Sequence, residues 1–280
     1  MYKKKRQIGK RTIISHTKNM LYTLILIVFL ATSPTLISSL NCYYCQEVIV
    51  VNYTITSDRV PSFSNCTVIE AQQCSISLTW NIHNDTSAIV VGDRHAEAKY
   101  NASQDMAMGI VFMDIAPNKV TVLLAHNLFF SCTTADKCND EDGLKKMIRS
   151  LTIEDQFRQE LASLISIASS FDGRTAGCSD SHSGPGYCPA SVLTACQRCV
   201  ITVDQILTLD KQICASCPQY SLNTNAIMRQ TTFLLNDRSV FSEHVQIDCQ
   251  QRGCNSMDNI NRVYRASKIA FNFDEYYKKN

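Results

Sequence analysis

Fourteen cysteines, all of them beyond residue 40, constrain this 280-residue chain more than any other feature. They fall in two blocks of even number. Cys42, Cys45, Cys66, Cys74, Cys132 and Cys138 form the first; Cys178, Cys188, Cys196, Cys199, Cys214, Cys217, Cys249 and Cys254 form the second. An even count in each block suits a disulfide framework, provided the chain folds in an oxidising compartment.

The first forty residues supply that condition. Lys3, Lys4, Lys5, Arg6, Lys10, Arg11 and Lys18 make a basic leader without an acidic residue, followed by an apolar run from Leu21 to Ala31. The run has the length of a signal-peptide core and is short for a membrane span. Pro34 breaks it, and Ser38 and Ser39 offer small residues for cleavage before Leu40. We expect residues 1–39 to be a signal peptide and the remainder to be secreted and extracellular. The alternative is an uncleaved signal anchor, giving a type II membrane protein whose C-terminal region is lumenal or extracellular.

Four N-glycosylation sequons agree with export: Asn52-Tyr53-Thr54, Asn65-Cys66-Thr67, Asn84-Asp85-Thr86 and Asn101-Ala102-Ser103, with none further on. Charge then excludes one class of partner. Seven of the 27 basic residues lie in the leader, which leaves 20 against 25 acidic ones, a net of about −5. A basic footprint for nucleic acid is missing.

Between Cys42 and Cys138 the chain reads as a small antiparallel β domain. Residues 46–56 are rich in Val, Ile, Thr and Tyr, Ser75–Trp80 alternates polar and apolar residues, and 109–113 and 120–130 are apolar. Turn residues separate these runs, among them Asn84-Asp85, Gly92-Asp93 and Pro117-Asn118. Helical spacing takes over after Asp142, with Leu144, Met147, Ile148 and Leu151, then Phe157, Leu161, Leu164, Ile165 and Ala168. This predicts a broken amphipathic helix, packed on a flanking domain. The second block repeats the first in shorter form: a Cys-x-x-Cys opening at Cys196 and Cys199, two middle cysteines at Cys214 and Cys217, and a closing pair followed by Asn255, as Asn139 follows Cys138. Cys178 and Cys188 flank Gly184-Pro185-Gly186, a turn that suits a local bridge between them.

The opening Leu40-Asn41-Cys42-Tyr43-Tyr44-Cys45 and the closing Cys132 to Cys138-Asn139 resemble the ends of a three-finger domain of the lymphocyte antigen 6 and urokinase receptor type. Cys249 to Cys254-Asn255 resembles the same ending. Extracellular modules of the ET type, with a reduced cysteine set, look similar. The resemblance implies a disulfide knot bearing three β-hairpin fingers, closing bridges Cys132–Cys138 and Cys249–Cys254, and a structural role for Asn139 and Asn255 in tying the last loop to the knot. Each block has six cysteines in this pattern, where a full domain of the family has eight to ten. The fold expected is therefore mainly β and disulfide-rich, with two tandem three-finger-like domains (40–140 and 178–256), an amphipathic helical linker (141–177) and a C-terminal tail (257–280).

The chemistry-bearing alternatives are few. Cys196-x-x-Cys199 with Cys214-x-x-Cys217 has a spacing close to that of a four-cysteine zinc site, so a zinc-binding second domain stays open beside disulfides. His83, His95, His126, His182 and His244 are scattered, and no nucleophile elbow, phosphate loop or paired-carboxylate motif occurs. We expect no enzyme, no catalytic residue, no metal and no cofactor. The polar ending Asp274–Asn280 does not match a glycolipid-anchor signal. Two functions fit: a secreted protein-binding module that modulates an extracellular receptor or other protein, or a secreted inhibitor of an extracellular enzyme such as a phospholipase or protease. In either case the partner is an extracellular protein, with membrane contact only through an uncleaved anchor.

Overall fold

Side chains alternate between buried and half-buried along the longer strands, and this two-residue period lays most of them into one sheet with a covered face. Thr86–Val91 and the end of Met106–Ile115 show it most clearly. The computed structural model describes residues 39–92, 104–115, 121–166, 177–191, 196, 198–207, 209–218 and 225–278. Of the expected signal peptide, 1–39, residues 1–38 lie outside them, and residues 39–280 form one compact unit.

Fourteen strands and five helices occur among the described residues. The strands are β1 (Leu40–Tyr44), β2 (Ile49–Val51), β3 (Thr67–Ala71), β4 (Cys74–Asn81), β5 (Thr86–Val91), β6 (Met106–Ile115), β7 (Val122–Cys132), β8 (Leu151–Asp155), β9 (Ser181–Ser183), β10 (Cys199–Ile206), β11 (Gln212–Ser216), β12 (Asn225–Leu234), β13 (Ser239–Cys249) and β14 (Ser267–Phe271). The helices are α1 (Glu141–Ser150), α2 (Phe157–Glu160), α3 (Ala162–Ile165), α4 (Met257–Arg265) and α5 (Phe273–Tyr277).

Ten strands form one sheet in the order β2-β5-β4-β7-β6-β12-β13-β10-β11-β9, and β1-β3 and β8-β14 form two small sheets. The protein is thus mainly β with seven disulfides. The large sheet reads the same from both ends. In its middle, β6 pairs antiparallel with β12, with Ile110 opposite Gln230. In the small sheet β8 pairs with β14, with Ile153 opposite Ile269. These residues hold equivalent places in the two halves, so a pseudo-twofold axis passes through both pairs. Two reciprocal bonds obey it: Gln156 N–H donates to the Ala266 carbonyl at 2.7 Å, and Asn272 N–H to the Ser150 carbonyl at 2.8 Å. Each half's last strand is completed by the other half's.

Two parts of the sequence reading change. The tandem domains are not separated by a linker, because the sheet runs unbroken through both halves. Residues 141–160 are the end of the first half. Helix α1 is amphipathic, buries Leu144 and Met147, and is capped by the Asp140 side chain. It stops at Ser150, where Leu151-Thr-Ile-Glu-Asp155 turns to strand pairing with β14. Residues 257–277 follow the same helix–strand–helix course, with α4 capped by Ser256 and burying Ile260 and Val263. The tail is therefore the equivalent module of the second half.

Gly109 on β6 shows how closely the small sheet sits on the large one. A Cβ there would stand 2.6 Å from Ile269 Cγ2 and 3.2 Å from Leu151 Cδ1. Only a residue without a side chain lets the β8-β14 pair rest at this depth.

All fourteen cysteines are bridged: Cys42–Cys74, Cys45–Cys66, Cys132–Cys138, Cys178–Cys199, Cys188–Cys214, Cys196–Cys217 and Cys249–Cys254. The local Cys178–Cys188 bridge does not form. Strand β9 lies along β11 with His182 opposite Cys214, which delivers Cys188 to Cys214 and leaves Cys178 beside Cys199. Cys178, not Cys196, is thereby the counterpart of Cys42. The four cysteines weighed as a zinc set are divided among three bridges. Cys196 and Cys217 pair with each other, while Cys199 and Cys214 bond outside the set, to Cys178 and Cys188. The sulfurs of Cys178, Cys196 and Cys199 do lie within 4.8 Å of one another, as do those of Cys74, Cys132 and Cys138, but as neighbouring bridges.

Candidate binding surface

A buried asparagine closes each half. The Asn139 side chain accepts from Tyr43 N–H (3.0 Å) and donates to the carbonyls of Tyr43 (2.8 Å) and Ser75 (3.2 Å). Asn255 accepts from Ser179 N–H (2.8 Å) and donates to Ser179 (2.9 Å) and Val200 (3.2 Å). Each bonds to the residue after the first cysteine of its half and to the residue after the cysteine bridged to it. The hairpins β4-β5 and β10-β11 run out from these knots to equivalent tips.

At the tips the two halves diverge. Ile82 N–H bonds to the Leu124 carbonyl at 3.0 Å, and its counterpart Leu207 N–H bonds to the Phe241 carbonyl at 3.0 Å. In the first half β7 keeps continuous register with β6, and Leu124 is buried. In the second, the β12–β13 register shifts: Thr232 faces Ser242 and Phe233 faces Val240, so Phe241 has no partner across the ladder. This is a β-bulge, and a bulge re-aims the side chain it carries. Phe241 is 41% exposed, beside Leu207 at 63% and Leu209 at 57%. Three large apolar side chains thus stand in solvent at one tip, where burial would release roughly 25 cal/mol per Å².

The first tip exposes apolar surface less, with Ile82 and Leu123 at 38% each, and carries a sequon beside it. Asn84 is exposed in the β4-β5 turn, which is shaped by Asp85 at φ 52° and by a bond from Thr86 Oγ1 to Asn84 Oδ1 of 2.8 Å. Asn52 and Asn65 are exposed as well. Asn101 and His95 lie outside the described residues. The other histidines do not meet. His126 Nε2 lies 2.5 Å from Asp155 Oδ2, His244 Nδ1 lies 2.5 Å from Asp204 Oδ1, and His182 and His83 are exposed on β9 and the first tip. Burial alone would raise the Asp155 carboxyl, but the His126 bond, the Phe157 N–H and the imidazole's charge outweigh it. The carboxyl is held below its ordinary value.

A cleft of about 880 Å³ opens between the 132–140 loop, α1 and α5, with both charge signs on its walls. Lys145 pairs with Asp142 at 2.8 Å and Lys146 lies over the Tyr276 ring at 4.2 Å. The equivalent place in the second half is packed by α3, whose Ile165 carbonyl takes a bond from Asn225 Nδ2. On its wall Asp105 accepts from Thr134 Oγ1 at 2.5 Å and from Thr133 N–H and Oγ1 at 2.7 and 3.2 Å.

Sequence reasoning missed Leu207, Leu209 and Phe241. One signal was available: Ile206-Leu207-Thr208-Leu209 places apolar residues where a hairpin turn ordinarily carries polar ones. The bulge that exposes Phe241 has no such local mark. No helix among the described residues is long and apolar enough to cross a membrane. Comparisons with protein-family models, curated proteins and solved structures find no match to this chain.

Proposed function

We propose that this chain is an exported glycoprotein whose two halves are three-finger-type units fused across a shared sheet, and that it works as a binding module for an extracellular protein. The fully oxidised cysteines fit an oxidising compartment. The finger reading is supported by hairpins β4-β5 and β6-β7, and β10-β11 and β12-β13, which run out from bridged, asparagine-closed bases. The observation that carries the binding role is the second tip, where a bulge holds Phe241 outward beside Leu207 and Leu209. A rigid scaffold with an apolar tip suits recognition of a protein groove.

The test is capture from extracellular fluid with immobilised protein, comparing wild type, L207D/F241D and the first-tip variant I82D/L123D. A partner retained by wild type and I82D/L123D but lost with L207D/F241D supports the reading. Equal retention by all three refutes it. The partner's class then divides the role: a receptor makes the chain a modulator, a hydrolase makes it an inhibitor.

A further inference from the structure

The ten-stranded sheet ends in two open edges, and they are built differently. Strand β9 is short, polar and exposed throughout, Ser181-His182-Ser183, and runs into Gly184-Pro185-Gly186. There Gly184 takes φ +99° and Gly186 N–H bonds to Gln212 Oε1 at 2.6 Å, which ends the strand. Polarity, shortness and proline are ordinary protections of an edge. Strand β2 has none of them except shortness. From Val48 to Ser57 the sequence Val-Ile-Val-Val-Asn-Tyr-Thr-Ile-Thr-Ser contains no charge and no proline. Val48 is 52% and Val50 is 69% exposed. An uncharged, β-branched edge of this kind is a template for another strand.

We propose that an N-glycan on Asn52 guards this edge against pairing with a second copy of the chain. Asn52 is exposed and follows directly on β2. Exposure alternates through the strand and its flanks, residues 48, 50 and 52 being exposed and 49, 51 and 53 half-buried, with Asn52 in the bend that follows β2. The natural partner is a second β2, because a twofold axis at Val50 pairs the segment antiparallel with itself. That register sets Val48 of one copy opposite Asn52 of the other, and Glu47 opposite Tyr53, so no like charges meet. A branched glycan on Asn52 fills the space the second Val48 needs. The modification joins Asn52 Nδ2 to C1 of an oligosaccharide carried on a lipid diphosphate: the N–C1 bond forms, the C1–O bond breaks, the amide loses a proton and the lipid diphosphate leaves.

The inference rests on the export reading, and the experiment separates the two. The full chain is secreted from glycosylating cells as wild type, N52Q, T54A, N65Q, N84Q and N52Q/V50K. Site occupancy is read by mass spectrometry, and mass in solution by size exclusion with light scattering. Wild type, N65Q and N84Q are expected to be monomers. N52Q and T54A, which lose the same glycan by different substitutions, are expected to double in mass as concentration rises, and N52Q/V50K to return to monomer. Glycans at Asn65 and Asn84 with Asn52 bare, or N52Q and T54A as monomeric as wild type, overturn the guard alone. Secreted protein with every sequon bare overturns the guard and the glycoprotein reading together.

Discussion

Replacing Asn139 with alanine removes three hydrogen bonds from a fully buried site. It also takes the side-chain partner from the Tyr43 N–H and C=O, whereas the Ser75 C=O keeps the Gly92 N–H at 2.9 Å. A net bond contributes about 0.5–1.5 kcal/mol, and a buried group left unpaired costs about 1–3 kcal/mol. Neighbouring terms do not add fully, so N139A is expected to lose roughly 3–5 kcal/mol. For a domain of this size that lowers Tm by about 10 °C. N139D should be no better, since a carboxylate oxygen would replace Nδ2 in front of two carbonyls. N255A should match N139A, because Asn255 makes the equivalent three bonds. Urea unfolding followed by Trp80 fluorescence suits the test. Trp80 is the chain's only tryptophan, half-buried, with Nε1 donating to the Ile55 carbonyl at 2.8 Å. Because one sheet joins the halves, N255A should move the Trp80 transition although it lies in the other half. A loss below about 1 kcal/mol for N139A, or a Trp80 transition untouched by N255A, would refute the reasoning.

Three further outcomes are expected. Asp155, held below its ordinary pKa, contributes stability that is present above the unfolded carboxylate value and lost as pH falls through the folded one. D155N should thus cost about 1.5–3 kcal/mol at neutral pH, and its deficit against wild type should shrink in acid melts as pH falls below the ordinary carboxylate range and through the lowered folded value. G109V pushes against Ile269 and Leu151 and should destabilise by about 1–3 kcal/mol, read by thermal unfolding. Alkylation without reductant should label no cysteine and a chelator should change nothing, whereas reduction, removing bridges that contribute about 2–4 kcal/mol each, should unfold the protein by circular dichroism.

The β character and the oxidised cysteines were legible because their causes are local. Alternation in Ser75–Trp80 lies within β4, and the apolar run 109–113 lies within β6. What joins the halves was not legible. The β6–β12 pairing links residues more than a hundred positions apart, and nothing in either strand names its partner. Leu151 continued the helical spacing of Leu144 and Met147, but pairing with β14 prevailed over that local period. Likewise, Cys196 and Cys199 looked like the opening pair of a repeat, while the sheet gave that role to Cys178. At the candidate site, the leucines of the second tip could be read as an oddity in a turn. Phe241 could not, because a bulge depends on the register of two strands.

The exchange of β8 and β14 makes this chain the covalent equivalent of a twofold dimer. In an assembly of identical subunits, every substitution is imposed on both copies at once, so a glycan that shields one tip shields both. Fusion removes that tie. Asn84 caps one tip with a sequon while Leu207, Leu209 and Phe241 stand bare on the other, and Gly109 holds the place on β6 that buried Arg229 holds on β12, where its guanidinium bonds to the Ser267 carbonyl at 2.6 Å. One molecule can therefore expose different side chains at its two tips on a common frame, where a symmetric pair would repeat the same surface twice.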